Sequence, residues 1–290
     1  MAATLEPQGC PAHCAVQTYL TNRYIHSRGF GVLVMSAATQ NQAPTASNFA
    51  GALVDILDRV EYRRVNPADL NDPVYRLRYD AYRREDFYPF NSLGVLRDDF
   101  DDYETFPNSW NFGVYIDGAL ASSLRIHYLT PQFPKSPANS LFGDVLKPLL
   151  DQGATFVDPT RFTVDFEASL AYPALPFLTL RLAVMATRHF RATYGLHCVR
   201  PEHGPFYKRV LGSSLMCEAR KWHDVGFPME LWGTKVSEVY DRTIRRYPFF
   251  HSSDEERAQL FAPPHQTPIW VHPTARTAEA PTIGPVAPVR

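Results

Sequence analysis

The 290-residue chain has no apolar run approaching the roughly 20 residues that a bilayer-spanning helix needs. Its first residues also lack the basic-then-apolar order of a secretory signal, so the expectation is a cytoplasmic protein with no integral membrane segment. Cysteine is scarce. Cys10, Cys14, Cys198 and Cys217 are too scattered for a disulfide framework, and Cys10, His13 and Cys14 lack the second ligand pair that a zinc site requires. No metal is expected. Neither sign of charge dominates: 29 Lys and Arg against 30 Asp and Glu leave a net charge of -1, without the basic field of a nucleic-acid binder. What is present, 45% hydrophobic and 20% charged residues, is the composition of an ordinary globular protein with a real core.

Residues 1–48 show no sustained period and read as a poorly ordered leader. Apolar residues Leu53, Ile56, Leu57 and Val60 recur at helical spacing, and Glu61 to Val65 reads as a strand. Asp72-Pro73, a cap followed by proline at the first helical position, opens a helix to about Asp86. Asp117-Gly118 between two alternating runs predicts a hairpin of Trp110 to Ile116 with Ala119 to His127. Helices are expected over Ser140 to Leu150, Pro176 to Thr193, Phe206 to Leu211 and Val236 to Tyr247. Strands are expected over Phe156 to Val164, Leu196 to Arg200, Ser214 to His223 and Met229 to Gly233. This irregular alternation predicts an α/β or α+β domain over residues 49–250, a mixed sheet with helices on both faces. The Pro-rich stretch 262–290 reads as a disordered tail.

The segment Phe156 to Val164 sets a charge inside an apolar strand. Phe162, Val164 and Phe166 alternate onto one face, which puts Arg161 and Thr163 on the other. Pro159 lacks a ladder amide, so pairing there is confined to an edge or a bulge. A guanidinium beside exposed amides suits a carboxylate or an oxyanion; an edge strand with a salt-bridged Arg is the competing reading. The acidic run Arg97 to Glu104 interleaves Phe100 and Tyr103 with its acids, which could anchor Asp101 and Glu104 toward a cleft, to hold an amine or accept its proton. With Arg76, Arg125 and Arg161 they would make a site of both signs. Tyr207, at a helix start, is a candidate acid, with His203 as its partner in sequence; a core tyrosine is the bland alternative. A nucleophilic Cys198 would need His197 or His203, and adjacent strand residues point oppositely.

The order Tyr75-Arg76-Leu77-Arg78-Tyr79, Phe100-Asp101-Asp102-Tyr103-Glu104, Ser123-Leu124-Arg125-Ile126 and Thr160-Arg161-Phe162 is similar to that of the acyl-homoserine-lactone synthases. More closely, it resembles the N-acyl amino acid synthases of the FeeM type. The resemblance spans about residues 60 to 235. It implies an acetyltransferase-like (GNAT) fold with a mixed, mostly antiparallel central sheet, and acyl transfer from acyl carrier protein. Where the lactone synthases place Glu and serines this chain has Asp158-Pro159-Thr160, and the acid at position 104 is Glu rather than Asp; both departures argue against a lactone product. Coenzyme A-dependent members hold pyrophosphate on a Gly-rich turn after the fourth strand, yet residues 164–178 contain no glycine.

What the resemblance implies is an N-acyltransferase with no permanently bound cofactor. Its donor is the acyl-phosphopantetheine of acyl carrier protein, with acyl-coenzyme A as the alternative, and its acceptor an amino acid or similar small amine. The expected catalytic residues are Asp101, Glu104, Arg161 and Tyr207, and the substrate-binding ones Arg76, Arg125, Phe162 and Thr163. Arg181, Arg188, Lys208 and Arg209 are the expected dock for an acidic carrier. A coenzyme A-dependent N-acetyltransferase and a catalytically silent acyl-ligand binder on the same fold are the other readings.

Overall fold

The computed structural model describes residues 53–85, 89–221, 228–263 and 270–275. A strand, β1 (Val60–Arg64), leads to α1 (Pro73–Arg84), where Asp72 accepts a hydrogen bond from the Val74 amide at 2.9 Å. The hairpin β2 (Ser109–Ile116) and β3 (Ala119–Leu129) turns at Asp117 and Gly118, both at positive φ, the backbone that a tight two-residue turn demands. Then come α2 (Pro137–Asp151), β4 (Phe156–Val164), α3 (Phe166–Ala171), α4 (Leu175–His189) and β5 (Tyr194–Val199). The chain continues through α5 (Gly204–Leu211), β6 (Ser214–Lys221), β7 (Pro228–Lys235), α6 (Val236–Arg246), α7 (Asp254–Leu260) and β8 (Trp270–Val271).

Among the described residues these strands form one sheet in the order β6-β7-β5-β4-β3-β2-β1-β8. Every neighbouring pair is antiparallel except β4 with β5, which is parallel and is formed only by Phe156 with Tyr194 and Val157 with Gly195. Beyond those pairs the two strands part, and Pro159 lies on β4 just past the point of parting.

Side-chain alternation divides the sheet chemically. Leu124, Ile126 and Val157 join Leu178, Leu182 and Met185 of α4 in the main core on one face. On the other, register sets Ser123 opposite Thr163, Arg125 opposite Thr160 and His127 opposite Asp158. Between the first two of those pairs β3 has one residue and β4 has two, a bulge in which Arg161 sits at φ 51°. Strict alternation would turn Arg161 toward the apolar face; the extra residue keeps it beside Arg125.

Three expectations change. The strand run ends at Val164, and Phe166 begins α3 instead of continuing the alternation, because the Asp165 side chain caps that helix through the Ala168 amide. The helix expected from Ser140 begins at Pro137, capped by Ser136. The ordered core also runs past residue 250: Phe249, Phe250, Leu260 and Phe261 are buried, and Trp270–Val271, within the stretch expected to be disordered, pairs with β1. Apolar residues scattered among prolines gave that segment no readable period. The leader 1–48 lies outside the described residues.

Candidate functional site

Asp98 and Asp101 hold one another's loop through local hydrogen bonds. They bracket a single 3-10 turn: Asp98 Oδ1 accepts the Phe100 amide, and Asp101 Oδ2 accepts the Asp98 amide, each at 3.0 Å. This reciprocal cap rests on the three-residue spacing of the two acids, and it holds their carboxylate oxygens at the charged face of the sheet.

Three arginines from three elements meet those oxygens. Arg125 of β3 donates Nη1–H to Asp98 at 2.6 Å and to Asp101 at 3.0 Å, and Nε–H to Thr160 Oγ1 at 3.0 Å. Arg78 of α1 donates to Asp101 at 2.9 Å and to Asn111 at 2.6 Å. Arg161, on the bulge, donates from Nε to Asp98 Oδ2 at 3.0 Å and also from Nη2. The Thr163 hydroxyl donates to the Arg161 carbonyl at 3.1 Å and braces the bulge. Aromatic rings complete the walls: Tyr82 lies 5.2 Å from the Arg161 guanidinium, and Phe100 lies 5.4 Å from that of Arg125.

All five charged side chains of this cluster are at most 4% exposed. Burial opposes ionisation of both acids, but Arg125 and Arg161 outweigh it at Asp98, and Arg78 and Arg125 do so at Asp101, holding both well below the usual carboxylate range. Three guanidinium groups against two carboxylates leave these five side chains one positive charge in excess until Asp158 on the same face ionises, and their forked N–H donors suit an anionic ligand group such as a carboxylate.

Asp158, on the same face, behaves oppositely. Burial pushes its pKa up to about 6, against hydrogen bonds from Ser136 and the Ala138 amide, and its Oδ1 has no hydrogen-bond partner among the described residues. The raised value means that the folded state binds this proton more tightly than the unfolded one. Stability is then lost as pH rises from the ordinary value of 3.8 through about 6, on the order of 3 kcal/mol in all. Asp158→Asn keeps an oxygen for the Ala138 amide and is expected to be more stable than wild type at pH 8 by up to that amount. Urea midpoints that differ as much at pH 4 as at pH 8 would contradict this origin.

Where β4 and β5 part there is a small opening of about 30 Å³. Thr160, Arg161, Phe162, His197, Cys198, Val199 and Tyr207 are among the residues lining the opening. Pro159 and His197 also line a second, apolar cavity between the sheet, α4 and α6. That cavity holds about 40 Å³, well below the ~300 Å³ at the small end of pockets that enclose drug-sized molecules. A ligand of more than a few atoms enters only if side chains move aside. Tyr207 stacks on His197 with ring centroids 4.4 Å apart, and burial raises the phenol pKa and keeps it protonated. Burial lowers the His197 imidazole to about 3, so its ring is neutral; Nε2 meets Thr234 Oγ1 at 3.2 Å, and Nδ1 has no partner among the described residues.

Of the residues singled out from sequence, Asp101, Arg125 and Arg161 come together, with Thr163 supporting the bulge and Phe162 and Tyr207 lining the opening. Arg76 and Glu104 are exposed and outside the cluster, since Arg76 occupies the outer face of α1 and Glu104 the outer end of the acidic loop. Arg181 cannot be a docking residue: it is fully buried, pairs with Glu256 and donates to the Phe249 carbonyl at 2.7 Å. Its partners lie about 70 residues away in sequence, which is why it read as a solvated cation. Arg188, Lys208 and Arg209 are exposed. Sequence reasoning passed over Asp98, Arg78 and Asn111; the three-residue spacing of Asp98 and Asp101, a capping box, was the available signal for the first.

A family model described as N-acyl amino acid synthase FeeM matches residues 73–235. No curated protein matches the chain. Among solved structures, FeeM, an N-acyl amino acid synthase from uncultured soil microbes, is 18% identical and superposes with a TM-score of 0.51 over 64% of this chain and 97% of that one. A coenzyme A-dependent acyl-homoserine lactone synthase, BjaI, is 12% identical over 64% of this chain and 89% of its own, with a TM-score of 0.47. The lactone synthase LasI is 12% identical over 63% and 94%, with a TM-score of 0.45. At 18% identity the likeness to FeeM speaks to the fold, which is that of the GNAT-like acyltransferases.

Proposed function

The chain belongs to the N-acyl amino acid synthase FeeM family, and from that premise we propose that this N-acyltransferase moves a fatty acyl group from acyl carrier protein to the amine of an amino acid or similar small amine. One observation supports the reading above the others: the β4 bulge holds Arg161 in the cationic cluster while the same residue lines the opening that shares Pro159 and His197 with the apolar cavity. The acceptor's carboxylate is drawn to the excess positive charge, and the acyl tail enters between β4 and β5. The thioester then lies in the opening.

The free amine attacks the thioester carbonyl. A C–N bond forms, the C–S bond breaks, and the thiolate departs with a proton from the Tyr207 phenol or from water. Backbone amides at the parted edge of β4 meet the oxyanion. Asp98 and Asp101 are already saturated by guanidinium groups and too weakly basic to deprotonate an ammonium ion; they fix the arginines. The amine's proton goes to water, with Glu104 as the exposed carboxylate of the same loop. It follows that kcat/KM for the acceptor rises about tenfold per pH unit below the amine's own pKa. An inflection abolished by Asp101→Asn would instead make Asp101 the base.

For the donor, α4 begins at Leu175 with proline at 176 and follows Pro173, so two of the amides that could cradle a pyrophosphate are missing, and those of Leu175 and Phe177 are bonded to Tyr172 and Ala174 carbonyls. A pantetheine arm on a carrier protein needs no such cradle. Arg188, Lys208 and Arg209, exposed on elements beside α6, fit an acidic carrier. The test is turnover of one acyl chain presented on carrier protein and on coenzyme A. The carrier-bound form should be preferred at low salt, and equal turnover would remove the carrier from the reading.

A further inference from the structure

The family match stops at residue 235, and the far end of the apolar cavity is built by the helix that follows. Val236, Val239, Tyr240 and Thr243 of α6 line it, a spacing of three and four that puts them on one helical face. Tyr240 also lines a second space. Behind it, open to solvent, lies a cleft of about 480 Å³ walled in part by Arg188, Asp241, Ile244 and Arg245. Tyr240 is the one residue that the two spaces share, and its ring is covered by the Arg188 guanidinium, 5.4 Å from the centroid.

Four of the other walls are held by the core. Val157, Ala183, Val184 and Leu211 belong to the main core, packed from behind. Tyr240 is only partly buried and has the cleft at its back. We propose that the Tyr240 ring is the end stop of the acyl cavity and sets the longest fatty acyl chain the enzyme uses. The inference rests on the acyl-transfer reading above. A chain that ends beneath the ring is accepted, and each further methylene must displace the ring from under Arg188 into the cleft. A single methylene in an apolar pocket is worth about 10–200-fold in discrimination, so one aromatic wall is enough to set a length limit.

The test is a competition among saturated acyl chains of graded length on carrier protein, with amide products resolved by mass spectrometry. Tyr240→Ala opens the cavity to the cleft and should raise the ratio of long-chain to medium-chain product at least tenfold. Tyr240→Phe keeps the ring and should leave the ratio unchanged, and Thr243→Phe should shift it toward shorter chains. The same ladder of free fatty acids is scored for retention by native mass spectrometry, which needs no turnover. If wild type makes no amide from any donor, the acyl-transfer reading fails, and the retention ladder still decides the stop. A folded Tyr240→Ala protein with the wild-type ladder in both measurements would overturn the proposal.

Discussion

Asp98→Ala is expected to cost about 3–5 kcal/mol of folding stability, since it removes the shared anion between two buried guanidinium groups. Arg125 and Arg161 already repel one another, and each is paired with Asp98 in the closed cluster. Without it the charge excess rises among side chains that are at most 4% exposed. Against a typical total of roughly 5–15 kcal/mol, that loss is a large share of what holds a domain together. Asp98→Asn keeps an acceptor for the Phe100 amide and some hydrogen bonding to the arginines, so it should fall between alanine and wild type. Urea denaturation reads both. A change under about 1 kcal/mol for the alanine variant, as an exposed pair would give, would mean that the cluster is solvated in solution.

Arg161→Ala is expected to lower amide formation by about 100- to 1,000-fold, the usual consequence of removing one positioned charged donor from a reacting centre. The loss should divide in an informative way. If Arg161 helps to bind the acceptor's carboxylate, KM for the acceptor rises while KM for the acyl donor holds. If it serves only to hold the loop through Asp98, both change together with stability. Arg161→Lys should not restore activity, because an ammonium group cannot reproduce the two-nitrogen contact with Asp98. Unchanged turnover in folded Arg161→Ala would take the residue out of the site.

Much of this arrangement was legible in the sequence, and the misses share a cause. The hairpin at Asp117-Gly118 and the cap at Asp72 are local signals, written in residues adjacent to the structure they produce. Pro159 announced irregular pairing in β4, and the structure has the strands parting beside it and a bulge two residues on. Charged residues were harder, because their meaning depends on partners distant in sequence. Arg181 has the spacing of a helix-surface cation and is the most deeply buried cation of α4, held by a segment near residue 256 that looked like the edge of a tail. Arg76 and Arg78 are two residues apart on one helix, and which of them faces the sheet is fixed by the placement of Val74 and Leu77 in the core. Asp98 was hidden in a run of acids where composition says solvated loop; only its reciprocal cap with Asp101 sets it apart.

The central claim is that an amine and an acyl thioester meet at the parted strands beside Arg161. Its most direct test is to incubate the full chain with carrier protein bearing a labelled fatty acyl thioester and a panel of free amino acids, then follow the label by mass spectrometry. The account predicts an N-acyl amino acid formed one for one with the freed carrier thiol, and almost none with Arg161→Ala. A thioester left intact by every amine, or label passing only to water as free fatty acid, would contradict it.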